Sequence, residues 1–266
     1  MEASKSASLP AVVQISGVYT DPWYMITILI LYLYFVTKAG PQFMELRKAY
    51  ELKRLILAHN LIQVVSCVYV IKEVFFITDN TILYFWKCRD IGSSPEHVRR
   101  YYSLAYFLFW LKLSELLETV IFVLRKKQKQ VSKLHIFHHL STVTLVYLLI
   151  NHNENGDAAY FSVFLNSIVH VFMYSYYFLA AVADKKIVQA LWPVKKSITV
   201  MQMTQFALIL VQVACQIVLC GTPPLQIIYF SAVIVGMFYG FLDFYNSAYQ
   251  GSQRCKNLSP SPEVGK

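Results

Sequence analysis

Residues 158–183 read AAYFSVFLNSIVHVFMYSYYFLAAVA, 26 positions without an Asp, Glu, Lys or Arg. A run of that length exceeds the roughly 20 apolar residues that a helix needs to cross a bilayer. Counted from Ala158 at about 1.5 Å per residue, His170 lies about 18 Å along the run, just past the middle of a hydrocarbon core about 30 Å thick. An imidazole at that depth wants a partner or a purpose.

Six further apolar segments flank this one, at Trp23–Val36, Leu55–Ile71, Tyr101–Leu124, Leu134–Ile150, Ser197–Cys220 and Leu225–Tyr249. Of the 266 residues, 56% are hydrophobic and 15% aromatic, a profile remote from that of a soluble domain. The expected fold is all-α, a polytopic bundle of seven transmembrane helices spanning residues 1–250, with a disordered polar tail over 251–266. Met1 to Ser16 lacks the basic, apolar and small-residue sequence of a cleavable signal peptide, so the first span is expected to serve as its own insertion signal.

Basic residues near span ends stay on the cytoplasmic side. Lys38, Arg47, Lys48, Lys53 and Arg54, then Arg125 to Lys133, Lys185, Lys186, Lys195, Lys196, Arg254, Lys256 and Lys266 all fall on one side, 17 of the 24 basic residues. The N-terminus is therefore expected in the lumen and the C-terminus in the cytosol. This asymmetry accounts for the net charge of +9 without nucleic acid binding. Attraction of anionic lipid or of a phosphorylated ligand such as coenzyme A explains it as well, and charge counts do not separate the two. Cys88 and Cys220 fall in or beside luminal loops and are expected to pair as a disulfide; Cys67 and Cys215 read as small core residues and Cys255 as a cytosolic thiol.

Polar residues gather within the cytosolic half of the spans. Lys112, Glu115 and Glu118-Thr119 recur at i, i+3 and i+6/i+7, close to one helical face, where Lys112 and Glu115 either neutralise each other or orient a ligand. His135, His138 and His139 form H-x-x-H-H, aiming three imidazoles into one sector. Asn166, His170, Met173-Tyr174 and Tyr177 make a polar-aromatic stripe in which Met and Tyr alone would be core packing. Thr199, Gln202 and Gln205 recur at steps of three, as helix–helix hydrogen-bonding residues or as part of a site. All four stripes share one depth, above mostly aliphatic and aromatic luminal halves. That is the geometry for a ligand with a charged head and an apolar tail.

These residues resemble the fatty acid elongase (ELO) family, the very-long-chain 3-oxoacyl-CoA synthases. The likeness rests on Gly40-Pro41, Phe43-Met44, Arg47-Lys48 and Leu52-Lys53, on Lys112-x-x-Glu115-x-x-Glu118-Thr119, and on His135-x-x-His138-His139. It continues through His170-x-x-Met173-Tyr174-x-Tyr176-Tyr177 and Thr199-x-x-Gln202-x-x-Gln205. The family usually has Asp where Glu118 stands and Pro where Ala49 stands, and many relatives carry a C-terminal Lys-rich retrieval signal that does not occur here.

The resemblance implies six of seven helices around a closed-ended tunnel for long-chain acyl-CoA, in the endoplasmic reticulum membrane. It implies decarboxylative condensation with malonyl-CoA to 3-oxoacyl-CoA, coenzyme A and carbon dioxide, with no metal or organic cofactor. A homodimer and the other elongation-cycle enzymes are the expected partners besides membrane lipid. None of the cysteines falls in the polar cluster, so imidazole is expected to carry the acyl group. By match to the family motifs His138 is the candidate nucleophile beside His170, with His135 and His139 positioning thioester or malonyl carboxylate and Lys112 and Glu115 setting the field. Glu118, Thr119, Asn166, Met173, Tyr174, Tyr177, Thr199, Gln202, Gln205, Arg47 and Lys48 complete the candidate substrate-binding set.

Two other classes fit less well. A membrane di-iron desaturase or hydroxylase also uses H-x-x-H-H, but needs about eight histidines in three boxes. The chain has seven, and His59, His97 and His152 read as standing alone, two of them in luminal loops. A seven-helix receptor would open its pocket away from the cytosol and carry Asp-Arg-Tyr and Asn-Pro-x-x-Tyr signatures that are missing here. A transporter would show an inverted repeat or a pair of broken helices, and neither is visible.

Overall fold

The computed structural model describes residues 21–88, 94–152, 159–220 and 224–250. Seven long helices run through them: α1 (Pro22–Met44), α2 (Lys53–Ile77), α3 (Pro95–Leu124), α4 (Lys133–His152), α5 (Ala159–Val182), α6 (Trp192–Leu219) and α7 (Pro224–Tyr245). A short helix, Lys185–Ala190, leads into α6. No strand occurs among the described residues. The residues around Cys255 and the tail over 251–266 lie outside them.

Six of the helices, all but α3, are long and apolar enough to cross a membrane, and the chain is a multi-pass membrane protein. Helix α3 has 30 residues, ample length, but Lys112, Glu115 and Glu118 dilute its apolar character. The large apolar side chains that remain exposed, such as Leu61, Val65, Phe172 and Val218, lie on the outer faces of the helices, where lipid is the solvent.

Several boundaries differ from the hydropathy reading. The first segment, read as ending at Val36, continues to Met44 through a π turn over Phe35–Ala39. Gly40 permits this: a Cβ there would lie 2.7 Å from Val123 Cγ1 and 2.8 Å from the Phe35 carbonyl oxygen, so only glycine lets α1 press against α3. Helix α2 runs six residues past Ile71, because the buried Glu73 carboxylate is paired at 3.2 Å with Arg100 of α3. Helix α7 ends in a second π turn, Asn246–Gln250. Prolines open α1, α3, α6 and α7, where their missing N–H would have no helical partner anyway.

Contacts define two ends of the bundle. At one, the Tyr50 amide donates to the Leu124 carbonyl, Lys126 Nζ donates to the Glu45 carbonyl, and Trp192 packs on Tyr249. At the other, Cys88 and Cys220 are joined as a disulfide with Cα atoms 5.4 Å apart, and Phe85 stacks on Phe161. The bond ties the segment after α2 to the end of α6 across 132 residues of chain, restricting the unfolded ensemble. Breaking it with Cys88→Ser is expected to cost about 2–4 kcal/mol, read as a lowered thermal transition of the detergent-solubilised protein. Non-reducing peptide mapping should return the two cysteines in one cross-linked species.

Candidate active site: two carboxylates among imidazoles

Helix α3 places its polar face toward the bundle axis. Lys112 and Glu115 are 6% and 0% exposed, and Lys112 Nζ donates to both Glu115 oxygens at 2.8 and 3.1 Å. The ammonium also donates to Asn166 Oδ1 on α5 at 3.0 Å, which fixes the amide so that Asn166 Nδ2 faces His170 Nε2 at 3.2 Å. An amide donor there requires a lone pair on Nε2, so the His170 proton resides on Nδ1, which faces Glu115 Oε1 at 3.3 Å. Lys112, Asn166, His170 and Glu115 thus form a ring in which each charge meets a polar partner, hydrogen-bonded except at His170 Nδ1, which faces Glu115 without a hydrogen bond.

One turn further along α3, Glu118 meets a different set. His139 Nε2 lies 3.8 Å from its Oε2 and His59 Nε2, on α2, lies 3.7 Å from its Oε1. Thr119 links helices, bonded to Tyr32 of α1 at 2.7 Å and to His135 Nε2 of α4 at 3.0 Å. The α4 box is compact: the His139 ring centroid stands 4.4 Å from His135 and 5.2 Å from His138, and His138 faces His170 at 6.4 Å. Tyr174 packs edge-on against His170 and is fully buried. Glu118, His135 and His139 also hold donor atoms within 4.8 Å of one another, the donor chemistry of a metal site, although His135 Nε2 is already engaged by Thr119.

Below the rings lies a cavity of about 620 Å³ lined by side chains from α2 to α7. Lys112 and His138 line it, with Thr142, Asn166 and Gln205, and its walls continue through Ile209 and Val213 to Gln216 on α6 and Ile227 and Phe230 on α7. Gln205 to Gln216 alone covers about 16 Å at ~1.5 Å per residue. Apart from Lys112, His138, Cys67 and a few amide and hydroxyl groups, the lining is apolar.

The structure thus gathers Lys112, Glu115, Glu118, Thr119, His135, His138, His139, Asn166, His170 and Tyr174, places Gln205 in the cavity wall, and sets the others apart. Thr199 pairs with Tyr249 at 3.3 Å and Gln202 approaches Met173 Sδ at 3.6 Å, both as links between helices. Tyr177 is 41% exposed. Arg47 and Lys48 stand exposed beyond α1, the Arg47 guanidinium stacked 3.7 Å from the Phe43 ring centroid and donating to the Phe43 carbonyl. One reading needs correction: His59, expected to stand alone, is a buried member of the cluster, because α2 packs beside α3 and α5. Cys67, read as a small core residue, is buried in the core and also lines the cavity beside Lys112. His97 packs near Phe76, far along α3 from the site, and the His152 side chain lies outside the description. The spacing His59-x₃-Gln63-x₃-Cys67 on one face of α2 was the available signal for His59.

A multi-pass helix bundle holding imidazoles and carboxylates over an apolar cavity defines a membrane protein built for an amphiphilic ligand. The chain matches the ELO (GNS1/SUR4) family profile over residues 18–257, and it belongs to that family. It is 36% identical over 197 residues to very long chain fatty acid elongase F of Drosophila melanogaster, covering 73% of this chain and 75% of that one. Elongase 7 of the same fly is 35% identical over 236 residues, covering 86% and 70%. Human very long chain fatty acid elongase 1 is 36% identical over 191 residues, covering 71% and 67%. As a member, the protein is an enzyme of very-long-chain fatty acid elongation.

Because the charges of Lys112 and Glu115 are paired, removing one should be worse than removing both. Lys112→Met is expected to destabilise by about 3–5 kcal/mol, and Lys112→Met with Glu115→Leu by markedly less, in thermal unfolding monitored by circular dichroism.

Proposed function

We propose that this protein is the condensing enzyme of elongation, joining a long-chain acyl-CoA to malonyl-CoA with loss of carbon dioxide. The observation that carries this is the meeting of His138 with the cavity wall beside Lys112: one reactive nitrogen stands where an acyl tail would begin. The tail would occupy the apolar cavity, which side chains of six helices line, with the coenzyme A head toward the basic end near Arg47 and Lys48. In this arrangement the histidine end faces the cytosol and the disulfide end the lumen of the endoplasmic reticulum, where a disulfide persists. Membrane lipid, a second copy of the chain and the remaining enzymes of the cycle would be its partners.

The chemistry follows from the lone pairs. His170 Nε2 is occupied by the Asn166 amide, and His138, the nucleophile that the family motifs point to, is the histidine that lines the cavity. Its nitrogen adds to the thioester carbon, the carbon–sulfur bond breaks, and coenzyme A leaves as the thiolate. Malonyl-CoA then loses carbon dioxide, and the electron pair of the broken carbon–carbon bond remains as an enolate. The enolate carbon attacks the acyl carbon, and imidazole departs. One proton is consumed overall, ending on the coenzyme A sulfur. A weakly polar chamber favours the decarboxylation, because it solvates a carboxylate poorly and carbon dioxide well enough. No metal or organic cofactor takes part in this scheme.

In microsomes supplied with labelled malonyl-CoA and a panel of acyl-CoAs, the native chain should yield 3-oxoacyl product and His138→Ala none. Near-native turnover by that variant would remove His138 as nucleophile; an acyl adduct on a histidine-containing peptide would support it. Filling the cavity wall with Val213→Phe should shift the accepted acyl chains toward shorter ones. Stoichiometric iron in the purified protein would favour oxidation chemistry at the Glu118, His135 and His139 donors instead.

A further inference from the structure

The mechanism above uses the ring around Glu115 and leaves a second couple unassigned. His59 and His139 are 7% and 2% exposed, and between them stands Glu118, whose side chain is 11% exposed. His59 Nε2, Glu118 Oε1 and both nitrogens of His139 have no hydrogen-bond partner, an unusual concentration of unmet polar atoms in one place. Separations of 3.7 and 3.8 Å are too long for a hydrogen bond and short enough for one to form with a small shift.

We propose that His59 is a positioning residue of the condensing site, acting through Glu118 on His139. A carboxylate favours the tautomer that points N–H at it, so an ionised Glu118 holds the proton of each neighbouring ring on Nε2. The Nδ1 lone pair of His139 is then kept open, 5.2 Å ring to ring from His138. His59 steadies the carboxylate from the opposite side, leaving one oxygen for each imidazole. Without it, Glu118 keeps the Tyr174 hydroxyl but loses its contact on the α2 side, and His139 can exchange its proton between nitrogens, which disorders the group beside the nucleophile. The two couples divide the work: Glu115 orients His170, and Glu118 orients His139.

This inference rests on the condensing reading, and the assay separates their failures. Product formation by the native chain tests that reading; absence of any 3-oxoacyl product there would sink it whatever His59 does. With the native chain active, His59→Phe is expected to lower kcat by about tenfold or more, with KM for both thioesters within about twofold and the thermal transition unchanged. His59→Gln places an amide N–H where Nε2–H stood and should restore most of the rate. Glu118→Gln should lose at least as much as His59→Phe, and the double variant no more than Glu118→Gln alone, because both act through one carboxylate. Native-like kcat in His59→Phe, multiplying losses in the double variant, or a His59→Gln rate no better than that of His59→Phe would overturn the assignment.

Discussion

A lysine and a glutamate one turn apart on α3 sit where the bundle is least solvated, and neither could stay there alone. Charge in a low-dielectric interior must be paired and fully hydrogen-bonded, or the helix carrying it would not insert. Lys112 answers Glu115, and the surplus donor of its ammonium reaches Asn166 across the interface with α5. From that one contact the amide orientation, the His170 tautomer and the facing of the two helices all follow. It also fixes the depth at which the remaining imidazoles must meet.

Around this centre the fold separates two environments. At the histidine end, residues of α2, α3, α4 and α5 meet side chain to side chain across helix boundaries. Toward the disulfide end the walls become aliphatic, so a head that can be polarised and a tail that cannot are sorted along one axis. The glycine at position 40 and the Tyr32–Thr119–His135 chain bind α1 to the rim, so this helix shapes the site while adding nothing to the cavity wall. Such an arrangement relies on many modest constraints of position, since the chemistry needs rings held in orientation more than it needs any single strong bond.

Helix periodicity made much of this legible in advance. The spacing of Lys112, Glu115 and Glu118 put three charges on one face, and H-x-x-H-H put three imidazoles in one sector. Both patterns depend only on the 100° turn per residue, which the chain carries locally. Hydropathy found every long helix but misjudged ends, because Lys72 and Glu73 look like a stop until Arg100 of another helix is seen to neutralise the acid. His59 looked solitary for the same reason: nothing near it in the chain reveals which helix lies opposite. Tyr177 and Gln202 show that a residue can share a stripe's period and still be turned by packing: Tyr177 is partly exposed, and Gln202 approaches Met173 Sδ.

What the sequence determined by itself was therefore one-dimensional: an all-helical membrane chain, the face of each helix that carries polar groups, and the end of the bundle at which those faces stand. Tertiary structure decided the pairings. It gave Glu115 to His170 and Glu118 to His59 and His139, because these choices depend on which helices are neighbours and how each is rotated. Neighbourhood and rotation arise from the summed packing of whole helices, and no short stretch of sequence encodes that sum.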